Sequence, residues 1–340
     1  MNSTKNAAPV QLGDGLTVSP LGFGGMALTP VYGDVDPAEA LKTLHHAVDA
    51  GMTFLDTADI YGGGSNEELI ARLLKERRDE VQLATKFGLV GTPSAGYTDI
   101  RGDAAYVKQA VDRSLQRLGT DTIDLYYLHR RDLRVPIVET VEAMAELVQA
   151  GKVRHLGLSE VTAEELREAS TVHPIAAVQS EWSIWCRDVE RNVVPAAAGL
   201  GVGFVPYSPL GRGFLTGTVD VSTLGSNDFR RNIPRFAENA AAANQGVVAA
   251  VRAVAAELTT AGNPATPAQV ALAWLLVQGA RLGLPVVPIP GTRKADRIDE
   301  NLGALTLNLT PAQLGALDDA ADAVVGSRSA DPNWVSQGRE

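Results

Sequence analysis

Four residues with complementary chemistry stand at or just past the ends of three apolar runs. Asp56 closes MTFLD, Tyr61 follows five residues later, Lys86 closes LATK, and His129 closes IDLYYLH. An ammonium beside a phenol favours the phenolate and draws a tyrosine pKa from ~10 toward neutrality. Asp56 would hold Lys86 charged and fixed. A phenol tuned in this way is a general acid for a carbonyl oxygen that gains negative charge as hydride reaches the carbon. His129 would donate a hydrogen bond to the same oxygen and orient it. Singly, each residue has a structural reading as a cap, an ion-pair partner or a packing group. Their joint occurrence on three successive strand ends points to a site. The remaining histidines, His45, His46, His155 and His173, lie in helical or flanking stretches and are not candidates.

Residues this far apart in sequence meet only if a fold brings strand ends together. One local pattern recurs: a helical stretch ends at glycine, then a short apolar run ends in a polar residue. It occurs at Gly51, Gly119, Gly151 and Gly201, with runs ending at Asp56, His129, Ser159 and Ser208. Glycine after the last helical turn supplies the left-handed residue that stops a helix cheaply. The nearly uninterrupted apolar runs suit strands buried on both faces of a parallel sheet. Val107, Ala110, Val111, Leu115 and Leu118 form one helical stripe, and Ile137, Val138, Val141, Met144, Leu147 and Val148 another. Strand ends are expected near Gly24, Asp56, Lys86, His129, Ser159, Gln179, Tyr207 and Pro290. Most of the spacings match a βα unit of ~30 residues. Eight such units make a closed (β/α)8 TIM barrel, in which strand C-termini converge on one mouth.

QLGDG and LTVSP ahead of the first strand read as a hairpin plugging one end. Residues 209–244, after the seventh strand, read as a long loop, Gln245–Thr259 as an extra helix and Thr266–Gln278 as the barrel helix. Loops of such length are usually lids or binding loops. The expected organisation is a flexible N-terminus (1–9), a barrel (10–325) and a loose polar tail (326–340) with Trp334 as its one anchor.

The 340 residues carry 30 Lys+Arg against 40 Asp+Glu, a net charge of −10 that argues against nucleic acid or an anionic membrane surface as the main partner. With 45% hydrophobic and 21% charged residues, wholesale disorder is excluded. No run reaches the ~20 apolar residues of a membrane helix, and the first fifteen residues contain no apolar signal core. The lone Cys186 cannot form an internal disulfide and fits a reducing compartment, so a cytoplasmic location is expected. No Tyr-x-x-x-Lys pair, zinc-spaced Cys/His cluster or Gly-x-Ser-x-Gly elbow is present. GFGGMA (Gly22–Ala27) mimics a dinucleotide fingerprint but lacks its βαβ context and acidic partner. Metal chemistry is not expected.

DTADIYGGGSNEEL (Asp56–Leu69), LATKFG (Leu83–Gly88) and DLYYLHRRD (Asp124–Asp132) resemble the signatures of the aldo-keto reductases. So do KVRHLGLSE, AVQSEWS, YSPLGRGFLTG and IPGTRKADRIDENLGAL. The resemblance runs from about Leu12 to Leu317 in family order. FRRNIPRFAEN (Phe229–Asn239) further resembles the branch holding potassium-channel β-subunits, bacterial general reductases and plant aryl-aldehyde-type reductases.

The resemblance implies a (β/α)8 barrel binding NADPH or NADP+ across its mouth. Tyr61 would be the proton donor, tuned by Asp56 and Lys86, with His129 orienting the carbonyl. Ser159 and Gln179 would hydrogen-bond the nicotinamide carboxamide and Tyr207 would stack on its ring. Ser208, Leu210 and Gly213 would line the pyrophosphate, with Arg212 close by. Gly291, Thr292, Arg293 and Arg297 would hold the 2′-phosphate, and Glu300 and Asn301 the adenine. Many members carry Lys where Gly291 stands; Arg293 and Lys294 would supply that charge. Ala71 stands where Gly is common, read here as helix packing. Independently of the resemblance, Arg293, Lys294 and Arg297 cluster in an otherwise acidic chain, after the apolar run LPVVPIP and at a helix start. That is a natural anion site, and guanidinium groups favour phosphate over a bare ribose hydroxyl. Trp182, Trp185 and Phe229 are candidate walls of a substrate pocket, with core packing as the alternative.

The leading reading is NADPH-dependent reduction of a small-molecule aldehyde or ketone. The alternative is an NADP(H)-binding regulatory subunit with little turnover, which an intact tetrad also fits. A barrel hydrolase or isomerase would need paired acids at strand ends, and only Asp56 clearly qualifies. Oligomeric state is not legible in these motifs.

Overall fold

A computed structural model describes residues 7–92 and 96–340. Residues 1–6 of the expected flexible N-terminus lie outside the described residues. Seven strands form one all-parallel sheet: β3 (Gly22–Gly24), β4 (Phe54–Asp56), β5 (Gln82–Phe87), β8 (Ile123–Leu128), β9 (Val153–Ser159), β10 (Ile175–Glu181) and β11 (Gly203–Tyr207), adjacent in chain order. The eighth position is taken by extended segment 285–290. Phe204, Val287 and Ile289 exchange backbone hydrogen bonds along its β11 side, and the carbonyls of Pro288 and Pro290 accept from Gly22 and Gly24 on its β3 side. Proline carries no N–H, so the β3 side of this segment offers acceptors only. The barrel closes, but through half a ladder, which is why the eighth strand is irregular.

Helices α1 (Pro37–Asp49), α2 (Ser65–Arg77), α3 (Ala104–Leu118), α4 (Ile137–Gln149), α5 (Ala163–Val172), α6 (Val193–Leu200) and α9 (Pro267–Leu282) surround the strands. Gly51, Gly119, Gly151 and Gly201 all have positive φ after helices, as their spacing implied. Thr162 and Thr266 cap α5 and α9 in reciprocal boxes with Glu165 and Gln269, satisfying N-terminal amides that have no helical partner. Side chains alternate across the strands. Leu55 and Tyr126 pack outward under the helices, while Phe54, Leu125, Tyr127, Val205 and Ile289 fill the barrel interior. The hairpin β1 (Val10–Gln11) and β2 (Thr17–Val18) contributes Leu12, Leu16 and Val18 to that inner core and plugs its lower end.

The mouth is more elaborate. After β5 comes an antiparallel hairpin, β6 (Leu89–Thr92) and β7 (Gly96–Ile100). The long segment after β11 winds through four 3-10 turns between Gly211 and Phe236, then α7 (Glu238–Ala243) and α8 (Gln245–Thr260). Helices α10 (Ala295–Leu302) and α11 (Pro311–Ala321) follow the closing segment. The tail is not loose. Arg328 is buried against Glu160 and Asp188, Val335 and Ser336 are buried, and Arg339 pairs with Glu165. Polar composition misleads here because the tail's charges face partners on the barrel. No helix among the described residues is long and apolar enough to cross a membrane.

Candidate functional site

Strands β4, β5 and β8 are neighbours, so their C-terminal ends place Asp56, Lys86 and His129 together at the mouth. Tyr61 joins them from a turn anchored by its N–H donating to Ala58. Lys86 Nζ donates to Asp56 Oδ1 at 2.5 Å, to the Thr57 carbonyl at 2.7 Å and toward Tyr61 Oη at 3.4 Å. The side chain is fully buried and its three donors are thereby engaged. Gln179 Nε2 donates to the other oxygen of Asp56 at 2.8 Å. The Tyr61 and His129 rings meet edge-on, 5.8 Å between centroids.

The electrostatics differ from the sequence expectation in one respect. Burial pushes the Tyr61 phenol well above its ordinary value, and the Asp56 charge pushes the same way. The expected depression by Lys86 does not appear, because that ammonium is neutralised by Asp56 at closer range. In the low dielectric of the site a phenolate beside a carboxylate is disfavoured. Tyr61 is therefore a protonated phenol at neutral pH. Burial, then the charges of Arg130 and Lys86, push His129 well below its ordinary value, so its ring is neutral. Burial draws Lys86 down and Asp56 up, each opposed by the other's charge.

Above the four residues lies a cavity of about 800 Å³. Asp56, Tyr61 and His129 are at its base, with Ser159, Gln179 and Tyr207 beside them. Its walls continue through Ser208, Leu210, Arg212 and Gly213 to Gly291, Thr292, Arg293, Arg297, Glu300 and Asn301. Every residue carried over from the resemblance for cofactor binding thus lines one cavity. The backbone at Ser208, Gly211, Arg212 and Gly213 has positive φ, a sequence of reversals of the kind that turns amides toward an anion. Gly24 and Gly291 approach so closely that a Cβ on Gly291 would lie 2.4 Å from the Gly24 carbonyl oxygen.

Three candidate residues have other partners. Arg293 donates to the carbonyls of Ala27, Thr29 and Asp34 at 2.7–3.0 Å, fastening the loop after β3. This leaves Lys294 and Arg297 as the exposed cations at that end. Trp182 is fully buried, edge-on to Phe204 and Trp274, and does not line the cavity. It is a core residue, and Trp185 likewise stacks on Phe214 at 4.6 Å. Phe229 does line the cavity, beneath the Arg212 guanidinium. Arg212 also donates to the Tyr32 hydroxyl and Phe229 N–H to the Val31 carbonyl, joining the long loop to the loop after β3.

The structure matches an established family. The aldo/keto reductase family model covers residues 20–322. The chain belongs to the aldo/keto reductase family. A probable aldo-keto reductase 1 from Glycine max is 43% identical over 317 residues, covering 92% of this chain and 88% of the relative. Among solved structures, a glycerol dehydrogenase from Gluconobacter oxydans superposes with TM-score 0.80 at 27% identity, over 97% of this chain and 99% of that one. An aldo-keto reductase from Bacillus halodurans, in its holo form, gives 0.74 at 29%, over 95% and 99%. An oxidoreductase role follows from the family.

Several residues at the reductase mouth carried no readable signal in the sequence. Glu160, with φ of 52°, accepts from the Tyr207 hydroxyl at 2.8 Å, from both Arg328 terminal nitrogens and from Ser336 N. Burial opposes its ionisation, but the Arg328 charge and hydrogen bonds hold its carboxyl down at about 2. The tail thereby fixes the ring of Tyr207. Tyr97 from the β6–β7 hairpin packs on Trp334 from the tail, 5.3 Å between centroids, and both line the cavity. Arg130 lines it too. Only adjacency to an assigned residue, Arg130 to His129 and Glu160 to Ser159, could have flagged any of these.

Proposed function

We propose that this reductase converts an aldehyde or ketone to the alcohol with NADPH, Tyr61 acting as general acid. The observation that carries the reading is the placement of a protonated Tyr61, Lys86, Asp56 and a neutral His129 at one end of a cavity whose other end presents Thr292, Lys294 and Arg297. The residues present fit the dinucleotide: one cavity lined from Ser159 to Asn301 by the assigned residues, with backbone reversals at Ser208–Gly213. Ser159 and Gln179 would hold the carboxamide, Tyr207 the nicotinamide ring, and Glu300 and Asn301 the adenine. Thr292, Lys294 and Arg297 would hold the 2′-phosphate. When bound, NADPH supplies the hydride that the carbonyl carbon accepts.

The chain's own residues do the rest. His129 has one N–H to give and, being neutral, keeps no proton that competes with Tyr61. As negative charge grows on the carbonyl oxygen, the Tyr61 hydroxyl transfers its proton there. The phenolate left behind lies 3.4 Å from the Lys86 ammonium, which stabilises it. Asp56 and Gln179 keep that ammonium in place. Tyr61→Phe removes the proton and should lower kcat by 10²–10⁴-fold. NADPH absorbance with 4-nitrobenzaldehyde reads this directly; equal rates for wild type and variant would overturn the assignment of the acid.

A further inference from the structure

Most guanidinium groups around the mouth already have strong partners. Arg328 faces Glu160 and Asp188, Arg230 faces Asp228, and Arg293 is capped by three carbonyls. Two others are different. Arg212 has no carboxylate partner among the described residues and donates to the Tyr32 hydroxyl over the Phe229 ring, but the pyrophosphate proposed at Ser208–Gly213 would complete it. Arg130 has no such claimant. It is 9% exposed and lines the cavity next to His129, yet no carboxylate lies within ion-pair distance of it among the described residues. Among the described residues its only hydrogen bonds run from Nη1, to the His129 carbonyl at 2.7 Å and to Ser159 Oγ at 3.4 Å. Nε is buried with no acceptor among the described residues. The guanidinium lies over the Trp334 indole, 5.2 Å from its centre, which fixes its plane without neutralising its charge. Glu160, whose carboxylate feels this charge, is already taken by Arg328, Tyr207 and Ser336.

A guanidinium has five donors and cannot shed its proton. Burying one without an anion costs several kcal/mol, so the arrangement suits an anion that arrives with a ligand. The proposed phosphate positions lie at Ser208–Gly213 and at Thr292, Lys294 and Arg297, toward the other end of the cavity. Arg130 instead adjoins His129 and Ser159, beside the point where a carbonyl would react. We propose that Arg130 is a specificity-determining residue that selects carbonyl substrates bearing a carboxylate a few bonds from the reacting carbon. Trp334, under the Arg130 guanidinium, and Tyr97, packed on Trp334, wall the same region and suit an aromatic body for that substrate. This rests on the proposed reductase reading for its chemistry, but not for the anion site itself.

The test compares 2-carboxybenzaldehyde with its methyl ester in wild type, Arg130→Met and Arg130→Lys. A charge-assisted contact of ~1.5–3 kcal/mol corresponds to roughly tenfold to a hundredfold in kcat/KM. Wild type should favour the acid over the ester by that factor. Arg130→Met should bring the ratio near one, chiefly through KM of the acid, and Arg130→Lys should retain part of the preference. Independently of turnover, phthalate should quench tryptophan fluorescence saturably in wild type and bind at least tenfold more weakly to Arg130→Met. If the ester is reduced as well as the acid, the proposed function stands and this inference fails. If the preference survives in Arg130→Met, the carboxylate is held elsewhere, and the inference again fails. If neither compound is reduced, the reductase reading fails while the phthalate titration still decides the role of Arg130.

Discussion

Arg328→Met is a direct test of how strongly the tail is tied to the mouth. Arg328 donates to both oxygens of Glu160, at 2.7 and 3.0 Å, and to Asp188 at 2.9 Å, with its side chain 1% exposed. Holding the Glu160 carboxyl at about 2 instead of the ordinary 4.5, at ~1.4 kcal/mol per tenfold change in proton affinity, corresponds to about 3 kcal/mol. Mutational experience with buried pairs that lose one member agrees, at ~3–5 kcal/mol. Methionine fills the volume but leaves a buried carboxylate without its cation. Urea unfolding should therefore show a loss of about 3–5 kcal/mol. In a cycle with Glu160→Gln, the double variant should fall short of additivity by ~2 kcal/mol, because neutralising the carboxylate removes the reason for the loss. The sign with pH is fixed: a depressed carboxyl contributes above its unfolded pKa and loses that contribution as pH falls from about 4.5 toward 2. A variant within ~0.5 kcal/mol of wild type, or a strictly additive cycle, would refute the reasoning.

Other consequences follow from the same geometry. Because burial raises Tyr61 and lowers His129, both stay neutral around pH 7; kcat should be flat between about pH 6.5 and 9, and an inflection near the ordinary ~6.5 of histidine would contradict it. Asp59 has its carboxyl pushed up to about 8 by burial and then by Glu67, against the charges of Arg117 and Arg113, and its Oδ1 has no partner. Its folded pKa is raised, so stability present at acid pH is lost as pH rises toward 8; Asp59→Asn should be near neutral at pH 4 and stabilise by ~1–3 kcal/mol at pH 8.5, read from urea midpoints. Gly291→Ala puts a Cβ 2.4 Å from the Gly24 carbonyl oxygen; ~1–3 kcal/mol of overpacking is expected in stability, with weaker NADPH binding on titration, and wild-type values of both would refute the close-approach argument.

The parts of this protein that were legible in its sequence are those with a local cause. A positive-φ glycine after a helix and an apolar run of strand length leave periodic marks, so seven strand ends could be located and Asp56, Lys86 and His129 brought to one rim. The eighth strand was located but its character was not. LPVVPIP reads as an ordinary apolar strand, whereas in the barrel its prolines at 285, 288 and 290 supply carbonyls, and no N–H groups, to the closing ladder. The failures share a different cause, which is that charge was judged without its partners. Arg293 looked like a phosphate ligand because it sits in a basic cluster, yet three carbonyls 259–266 residues away claim it. The tail looked loose because it is polar, yet Arg328 meets Glu160 across 168 residues. Lys86 looked like the group that acidifies Tyr61, yet Asp56 takes its charge at shorter range. The same reasoning, run in reverse, gives Arg130 its interest. Once each cation is credited with the acceptors the fold supplies, Arg130 is a buried guanidinium beside the reacting position that still lacks an anion, and a buried charge is tolerated where a ligand completes it.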